Sequence, residues 1–153
     1  MNLKYDDVPL FSFKGLCTIG KISHIIDGDT TYIILLDKES QPIKLDCRLV
    51  GIDTPEMRKT HEMAMKSRNR LLQLSTNCII DIDDATDKNH INKLIDTTNT
   101  KLLFIECYGN DKYGRQLVKL FTDNEKKKCI NEIMINEGYA HSYDGGKKEE
   151  WNH

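Results

Sequence analysis

The chain has 153 residues, with 22 basic against 24 acidic side chains and a formal net charge of −2. That length suits one domain able to bury its own core without staples. The near-even charge balance excludes a protein that coats polyphosphate by bulk charge, though not an enzyme whose basic groups are gathered locally.

Residues 1–15 mix Asp6, Asp7 and Pro9 with scattered aromatics and read as an extended lead-in. Residues 16–26 are β-rich with imperfect alternation, and 30–36 (TTYIILL) are strand material. Between them, Asp27-Gly28 is a hairpin signal. A turn over 38–42 leads into a third strand over 43–51. There Ile43, Leu45, Cys47 and Leu49 alternate with Lys44, Asp46 and Arg48, which puts Arg48 on the polar face.

Pro55 forces Thr54 out of helical geometry and suits a helix's first position, so a helix is predicted from Pro55 to about Leu74 with Thr54 as its cap. Residues 78–100 carry an acidic patch (Asp81, Asp83, Asp84, Asp87), then Ile91, Leu94 and Ile95 at helical spacing, then a polar exit. They read as an insertion bearing a short helix. Two more strands follow at 102–108 and 116–121, joined by a loop over 109–114. Asp123 or Asn124 is expected to cap a helix running through Ile130, Ile133 and Met134, with Gly138 as its stop. The tail 139–153 is polar, and Asp144-Gly145-Gly146 breaks any helix in it. Three strands, a helix, two strands and a helix predict a mainly β α+β domain over 16–153. Its expected form is a five-stranded barrel of the OB-fold type with flanking helices.

The five cysteines (Cys17, Cys47, Cys78, Cys107, Cys129) stand singly, with no C-x-x-C pair, so neither a zinc ribbon nor a disulfide framework is supported. Four of them lie in apolar runs, where a buried thiol is a small hydrophobe. No segment reaches membrane-spanning length and no cleavable leader is recognised. The expectation is an intracellular protein with no membrane partner.

Three short stretches carry chemistry, and each has an ordinary structural reading by itself. Asp27-Gly28-Asp29-Thr30 is a hairpin turn, Asp53-Thr54-Pro55-Glu56 a helix start, and Asp111-Lys112-Tyr113-Gly114-Arg115 a polar turn between strands. Arg48 could equally snorkel from a sheet surface. Taken together they supply acids able to hold a hard cation and arginines able to clamp an oxyanion, which points to phosphate chemistry. Other patterns lead nowhere. His61-Glu62 lacks the second histidine of a zincin helix, and Asp81-Ile82-Asp83 lacks the glycine and closing acid of an EF-hand loop. Lys126-Lys127-Lys128 is a solvated run.

The sequence resembles the staphylococcal nuclease (thermonuclease) family at D-G-D-T (27–30), at R-x-x-x-x-D-T-P-E (48–56) and at D-K-Y-G-R (111–115). A further match is N-E-x-x-x-x-x-G-Y-A (131–140), so the resemblance covers roughly residues 17–143. It implies a monomeric OB-fold nuclease, an endonuclease hydrolysing phosphodiester bonds of DNA, RNA or both with one Ca²⁺. The products would carry 3′-phosphate and 5′-hydroxyl ends.

Carried over position by position, Asp29 and Asp53 would be carboxylate ligands and the Thr54 backbone carbonyl a third, with Asp27 an acid behind them. Arg48 and Arg115 would grip the phosphate, and Glu56 would orient or deprotonate the attacking water. Lys112 and Tyr113 would contact the nucleotide, with Tyr143 stacking beside them. The alternative is a non-catalytic OB module that binds nucleic acid or protein. Scaffold members of the family typically lose these acids and arginines, so their retention favours the enzyme.

Overall fold

A computed structural model describes residues 2–151 of the chain. Met1 of the lead-in and positions 152–153 of the polar tail lie outside the described residues. The elements are β1 (Cys17–Asp27), β2 (Thr30–Leu36), β3 (Pro42–Leu49), β4 (Ile52–Asp53), α1 (His61–Ser75) and α2 (Lys88–Thr98). They continue with β5 (Leu103–Asn110), β6 (Gln116–Phe121), α3 (Ile130–Asn136) and β7 (His141–Ser142). Five strands close into a barrel in the order β1-β2-β3-β6-β5, while β4 and β7 pair apart from it. This is the mainly β, OB-type architecture that the element order predicts.

Closure rests on two features. β1 is long enough to serve two neighbours, pairing with β5 from Cys17 to Gly20 and with β2 from Gly20 to Asp27. At the shared corner, a Cβ on Gly20 would stand 2.5 Å from the Ile34 carbonyl oxygen and 2.8 Å from Ile105 Cδ1, so the turn of the wall admits only glycine. On the far side β3 runs parallel to β6, with Arg48 opposite Leu117.

Inward residues of the strands (Ile22, Ile25, Ile33, Leu35, Leu49, Leu103, Ile105, Val118, Leu120) form one apolar cluster with Leu71 and Leu72 of α1, Ile91 and Ile95 of α2, and Ile130 and Met134 of α3. The cysteines are all free, four of them buried. Burial pushes the Cys47 thiol up to about 12 and the Cys107 thiol up to about 11, which keeps both unreactive at neutral pH.

Both helices next to the predicted caps start later than the sequence suggests. Thr54 does not cap a helix at Pro55. Its amide donates to Asp29 Oδ2 at 3.0 Å and its hydroxyl has no partner among the described residues. The chain instead turns, with the amides of Lys59 and Thr60 both donating to the Glu56 carbonyl (3.1 and 2.9 Å), and α1 begins at His61. Asp123 likewise caps no helix. Its carboxylate accepts from the amides of Lys127 and Lys128, while Lys126 takes the left-handed conformation (φ 59°) that a continuing helix forbids. The helix there is only Ile130–Asn136, and Gly138 does end it, at φ 83°.

Within 78–100, Asp87 caps α2 by accepting from the His90 amide at 2.9 Å. Two asparagines tie this helix and its exit to β1 at its irregularities. Asn92 Oδ1 accepts from the Ile25 amide and Asn99 Nδ2 donates to the Ile22 carbonyl, both at 2.9 Å. No helix among the described residues is long and apolar enough to cross a membrane.

Asn131 does comparable work at the other end of the barrel. It is 2% exposed; Nδ2 donates to the carbonyls of Val50 (2.9 Å) and Val118 (3.0 Å), and Oδ1 accepts from the Leu120 amide (3.1 Å). Asn131→Leu keeps the volume but strands the Val50 carbonyl and the Leu120 amide, the Val118 carbonyl keeping its bond from the Val50 amide, and should lower stability by about 2–4 kcal/mol, since each unsatisfied buried group costs about 1–3. Urea unfolding checks this, and a wild-type midpoint would show that the backbone groups find other partners.

Candidate functional site

The D-G-D-T turn joins β1 to β2, with Asp27 paired to Thr30 across it. Gly28 is needed here for space rather than for a left-handed turn. A Cβ on it would lie 2.8 Å from Ser67 Cβ and 2.9 Å from Thr54 Cγ2. That close approach brings the turn against the segment after β4, and so Asp29 against Thr54 and Asp53.

Arg48 lies at the centre. It sits on the outward face of β3, as the alternation requires, yet is only 7% exposed because β4 and the chain beyond β7 cover it. Its Nη1 donates to the carbonyls of Leu49 (3.2 Å) and Ile52 (2.9 Å). Its Nη2 lies 3.5 Å from Asp29 Oδ2 and 3.7 Å from Asp53 Oδ1. Asp29 also accepts from the Thr30 hydroxyl and the Thr54 amide, each at 3.0 Å.

Burial alone would raise the Asp29 carboxyl. The hydrogen bond from Asp27, the Arg48 charge and the Thr54 amide together hold it below the usual carboxylate range. Asp27 answers in the other direction. Burial first, then repulsion from Asp29, push it up to about 7.

Arg115 is joined to this group through Thr30. Its Nη1 lies 3.5 Å from Thr30 Oγ1, and its Nε donates to Asp111 Oδ2 at 2.8 Å. Asp111 Oδ1 also accepts the amides of Tyr113 (2.8 Å) and Arg115 (2.9 Å), so one carboxylate shapes the loop and aims the guanidinium. Burial works to raise Asp111, but these amides and the guanidinium outweigh it and hold the carboxyl low.

Arg48, Lys112, Tyr113, Arg115 and Tyr143 line one cavity of about 610 Å³. Tyr113 is 72% exposed, flanked by Lys112 and Arg115 at 5.2 and 5.6 Å from its ring, while Tyr143 lies under Arg48 at 5.4 Å. A neighbouring cavity of about 440 Å³ is lined by Asp53, Thr54 and Glu56, with Lys59 and Lys148. Glu56 stands in the 56–60 turn, not on a helix. Its carboxylate is exposed and 3.9 Å from Lys59 Nζ.

The structure therefore brings Asp29, Arg48, Asp53 and Thr54 into one buried group, with Asp27 half-buried beside Asp29 and Arg115 at its edge. It sets Lys112, Tyr113 and Tyr143 along the adjoining cavity, and leaves Glu56 at the rim beside Asp53. Three residues of this neighbourhood were given no role of their own by the sequence reading. Thr30 bridges the two arginine neighbourhoods and Asp111 orients Arg115. Lys148 places Nζ 3.2 Å from Asp53 Oδ1. Asp111 was findable, because an aspartate four residues before an arginine across a glycine turn is the pattern of a side chain capping its own loop. Lys148 carried no such signal.

The family described as staphylococcal nuclease homologue matches residues 46–152 of this chain. An uncharacterized protein of Methanocaldococcus jannaschii is 28% identical over 131 residues, a stretch covering 81% of this chain and 58% of the relative. The chain thus spans little more than half of that protein's length.

The Asp27–Asp29 pair makes stability pH-dependent. A carboxyl raised to about 7 stabilises the fold fully below 3.8, and that contribution is lost as pH rises toward and past 7. Asp29, held low, acts oppositely, and its contribution is lost as pH falls below 3.8. In chelator, wild-type stability should decline from pH 4 to pH 8, and Asp27→Asn should remove that decline, leaving the variant more stable at pH 8 by at least about 1 kcal/mol. Urea midpoints at pH 5 and pH 8 test the slope. A variant that tracks wild type at both would show that Asp27 is ionised throughout.

Proposed function

This chain belongs to the staphylococcal nuclease homologue family, and we propose on that premise that it is a Ca²⁺-dependent endonuclease of DNA, RNA or both. Family membership supports a nucleic-acid-directed function. The observation that carries the finer reading is the buried Arg48 held between Asp29 and Asp53, with a second guanidinium, Arg115, at the edge of the same group.

The donors fit a hard cation in kind. Asp29, Asp53 and the Thr54 carbonyl offer oxygen only, and the Thr54 hydroxyl beside them is a buried polar atom without a partner among the described residues. Among the described residues no three His, Cys, Asp or Glu side chains gather into a metal cage. The ion would thus draw the rest of its shell from water and substrate oxygen, as Ca²⁺ with six to eight oxygen ligands does. When bound, it would polarise the scissile phosphate and offset charge building on its oxygens.

The chain's own residues supply the remaining work. Arg48 and Arg115 bring guanidinium charge to the phosphate on fixed supports rather than on mobile stems; the Nη donors of Arg48 already meet carbonyls and carboxylates, so the planar fork turned to phosphate oxygens is that of Arg115. Because their geometry is set before substrate arrives, they stabilise developing oxyanion charge without reorganising. Glu56, at the rim next to Asp53, is the carboxylate open to water and takes the role of orienting or deprotonating the nucleophile. Lys112 and Tyr113 hold the nucleotide in the larger cavity, with Tyr143 behind Arg48. Cleavage leaves a 3′-phosphate and a 5′-hydroxyl.

Incubation with single-stranded and duplex DNA and RNA, in Ca²⁺ and in chelator, tests the activity. Expected are Ca²⁺-dependent cleavage and ends that a kinase labels without prior phosphatase treatment. Robust cleavage in chelator, or 5′-phosphate ends, would overturn the reading.

Two substitutions divide the work further. Arg115→Lys keeps a charge but loses the fork, and should lower kcat by roughly 10²–10³ with a much smaller change in KM, by analogy with a lost oxyanion donor. Near-normal kcat would reduce Arg115 to a loop anchor. Glu56→Gln should slow cleavage by roughly 10²–10⁴, the range for a lost acid–base group, while Ca²⁺ binding measured by calorimetry is retained. Loss of binding as well would make Glu56 a ligand, and loss of neither would remove Glu56 from the chemistry.

A further inference from the structure

Asp53 faces two cations, and the nearer one does not come from the barrel. Lys148 Nζ stands 3.2 Å from Asp53 Oδ1, against 3.7 Å for Arg48 Nη2. The lysine belongs to the segment after β7, which turns at Asp144–Gly146 and folds back across β4.

The segment is held at both ends. Before the lysine, the Tyr143 hydroxyl donates to the Gly146 carbonyl at 3.0 Å, and the Tyr143 ring lies 5.8 Å from Lys148 Nζ. Beyond it, Trp151 stacks face to face on His141, with centroids 3.6 Å apart and planes 4° from parallel. Glu149 Oε2 lies 3.7 Å from His141 Nδ1. His141 is the residue paired with Asp53 across β4 and β7, so the stack is registered to the same carboxylate that the lysine meets.

We infer that residues 147–151 form an internal competitor for the cation site, in which Lys148 occupies the Asp53 oxygen a divalent ion needs and the Trp151–His141 stack holds it there. This rests on the reading of Asp53 as a metal ligand. An ammonium and a divalent ion cannot share one carboxylate oxygen at contact distance without strong mutual repulsion. Ion binding and docking of Lys148 on Asp53 are therefore linked in a single coupled equilibrium, and each weakens the other by the same factor. The Lys148 side chain is 47% exposed, so water screens the pair and the competition is modest: it sets the ion concentration at which the site fills rather than whether it fills.

The chain has a single tryptophan, Trp151, so its emission reports on the tail alone. The experiment pairs calorimetric Ca²⁺ titration with Trp151 fluorescence on the full chain, for wild type, Lys148→Gln, Trp151→Ala and Asp53→Asn. Lys148→Gln should bind Ca²⁺ about two- to fivefold more tightly, the reach of a part-exposed ion pair. Trp151→Ala, which keeps the lysine but loses the stack, should tighten binding in the same direction. In wild type, Trp151 emission should change with the calorimetric midpoint, and Asp53→Asn should abolish both signals.

Unchanged or weaker binding in Lys148→Gln, or flat emission while Ca²⁺ binds, overturns the inference and leaves the metal reading intact. Absence of Ca²⁺ binding in wild type and Lys148→Gln alike overturns the metal reading and this inference with it.

Discussion

A guanidinium held almost out of water needs its counter-charges, and much of the molecule is arranged to keep them beside Arg48. Removing one partner from such a group leaves a buried charge uncompensated, at a cost of several kcal/mol. Asp29 arrives from the β1–β2 turn and Asp53 from β4, while the carbonyls of Leu49 and Ile52 take the second nitrogen. The turn between β3 and β4 is thereby folded around its own arginine. β7 then covers the site by pairing His141 with Asp53, and Tyr143 lies against the guanidinium. Pieces of chain from residue 27 to residue 143 depend on one cation.

That arrangement concentrates carboxylates where a folded protein would otherwise disperse them. Asp27 adjoins Asp29, and Asp29 shares Arg48 with Asp53, so the protein manages the repulsion by dividing their states. Asp29 is held low by the hydrogen bond from Asp27, by Arg48 and by the Thr54 amide, and Asp27 is pushed up to about 7. Asp53 is shared between Arg48 and Lys148. A site built this way attracts positive charge whatever its source. The same electrostatics that make the group costly to bury make it suited to a hard cation and, through the arginines, to a phosphate between them.

The elements themselves were largely legible. Alternation in 30–36 and 43–49 marks strands because successive side chains must point to opposite faces, and Asp27-Gly28 marks their hairpin. Gly138 marks a helix stop because only glycine takes that φ cheaply. The two misplaced helix starts have different causes. Thr54 and Asp123 have the chemistry of caps, but each is drawn into other bonds. The Thr54 amide goes to Asp29, and the Asp123 carboxylate folds the loop over 123–128. At Thr54 a tertiary partner overrides the local capping propensity, whereas at Asp123 the carboxylate closes a local loop instead of starting a helix.

By itself, the sequence determined the strand faces and the turn chemistry, and it singled out D-G-D-T, R-x-x-x-x-D-T-P-E and D-K-Y-G-R as stretches to be read together. Each of these is written in neighbouring residues and in side-chain chemistry. It placed Arg48 on a polar face, from which an exposed arginine would follow. Only the tertiary structure decided that this face is roofed by β4 and β7, that Asp29 and Asp53 divide a single guanidinium, and that Thr30 links it to Arg115. The approach of Lys148 to Asp53 was decided there too. Those contacts join residues far apart in the chain through the close packing of Gly28 on Thr54 and the pairing of Asp53 with His141. No local pattern encodes such distances, because they are set by how the barrel closes.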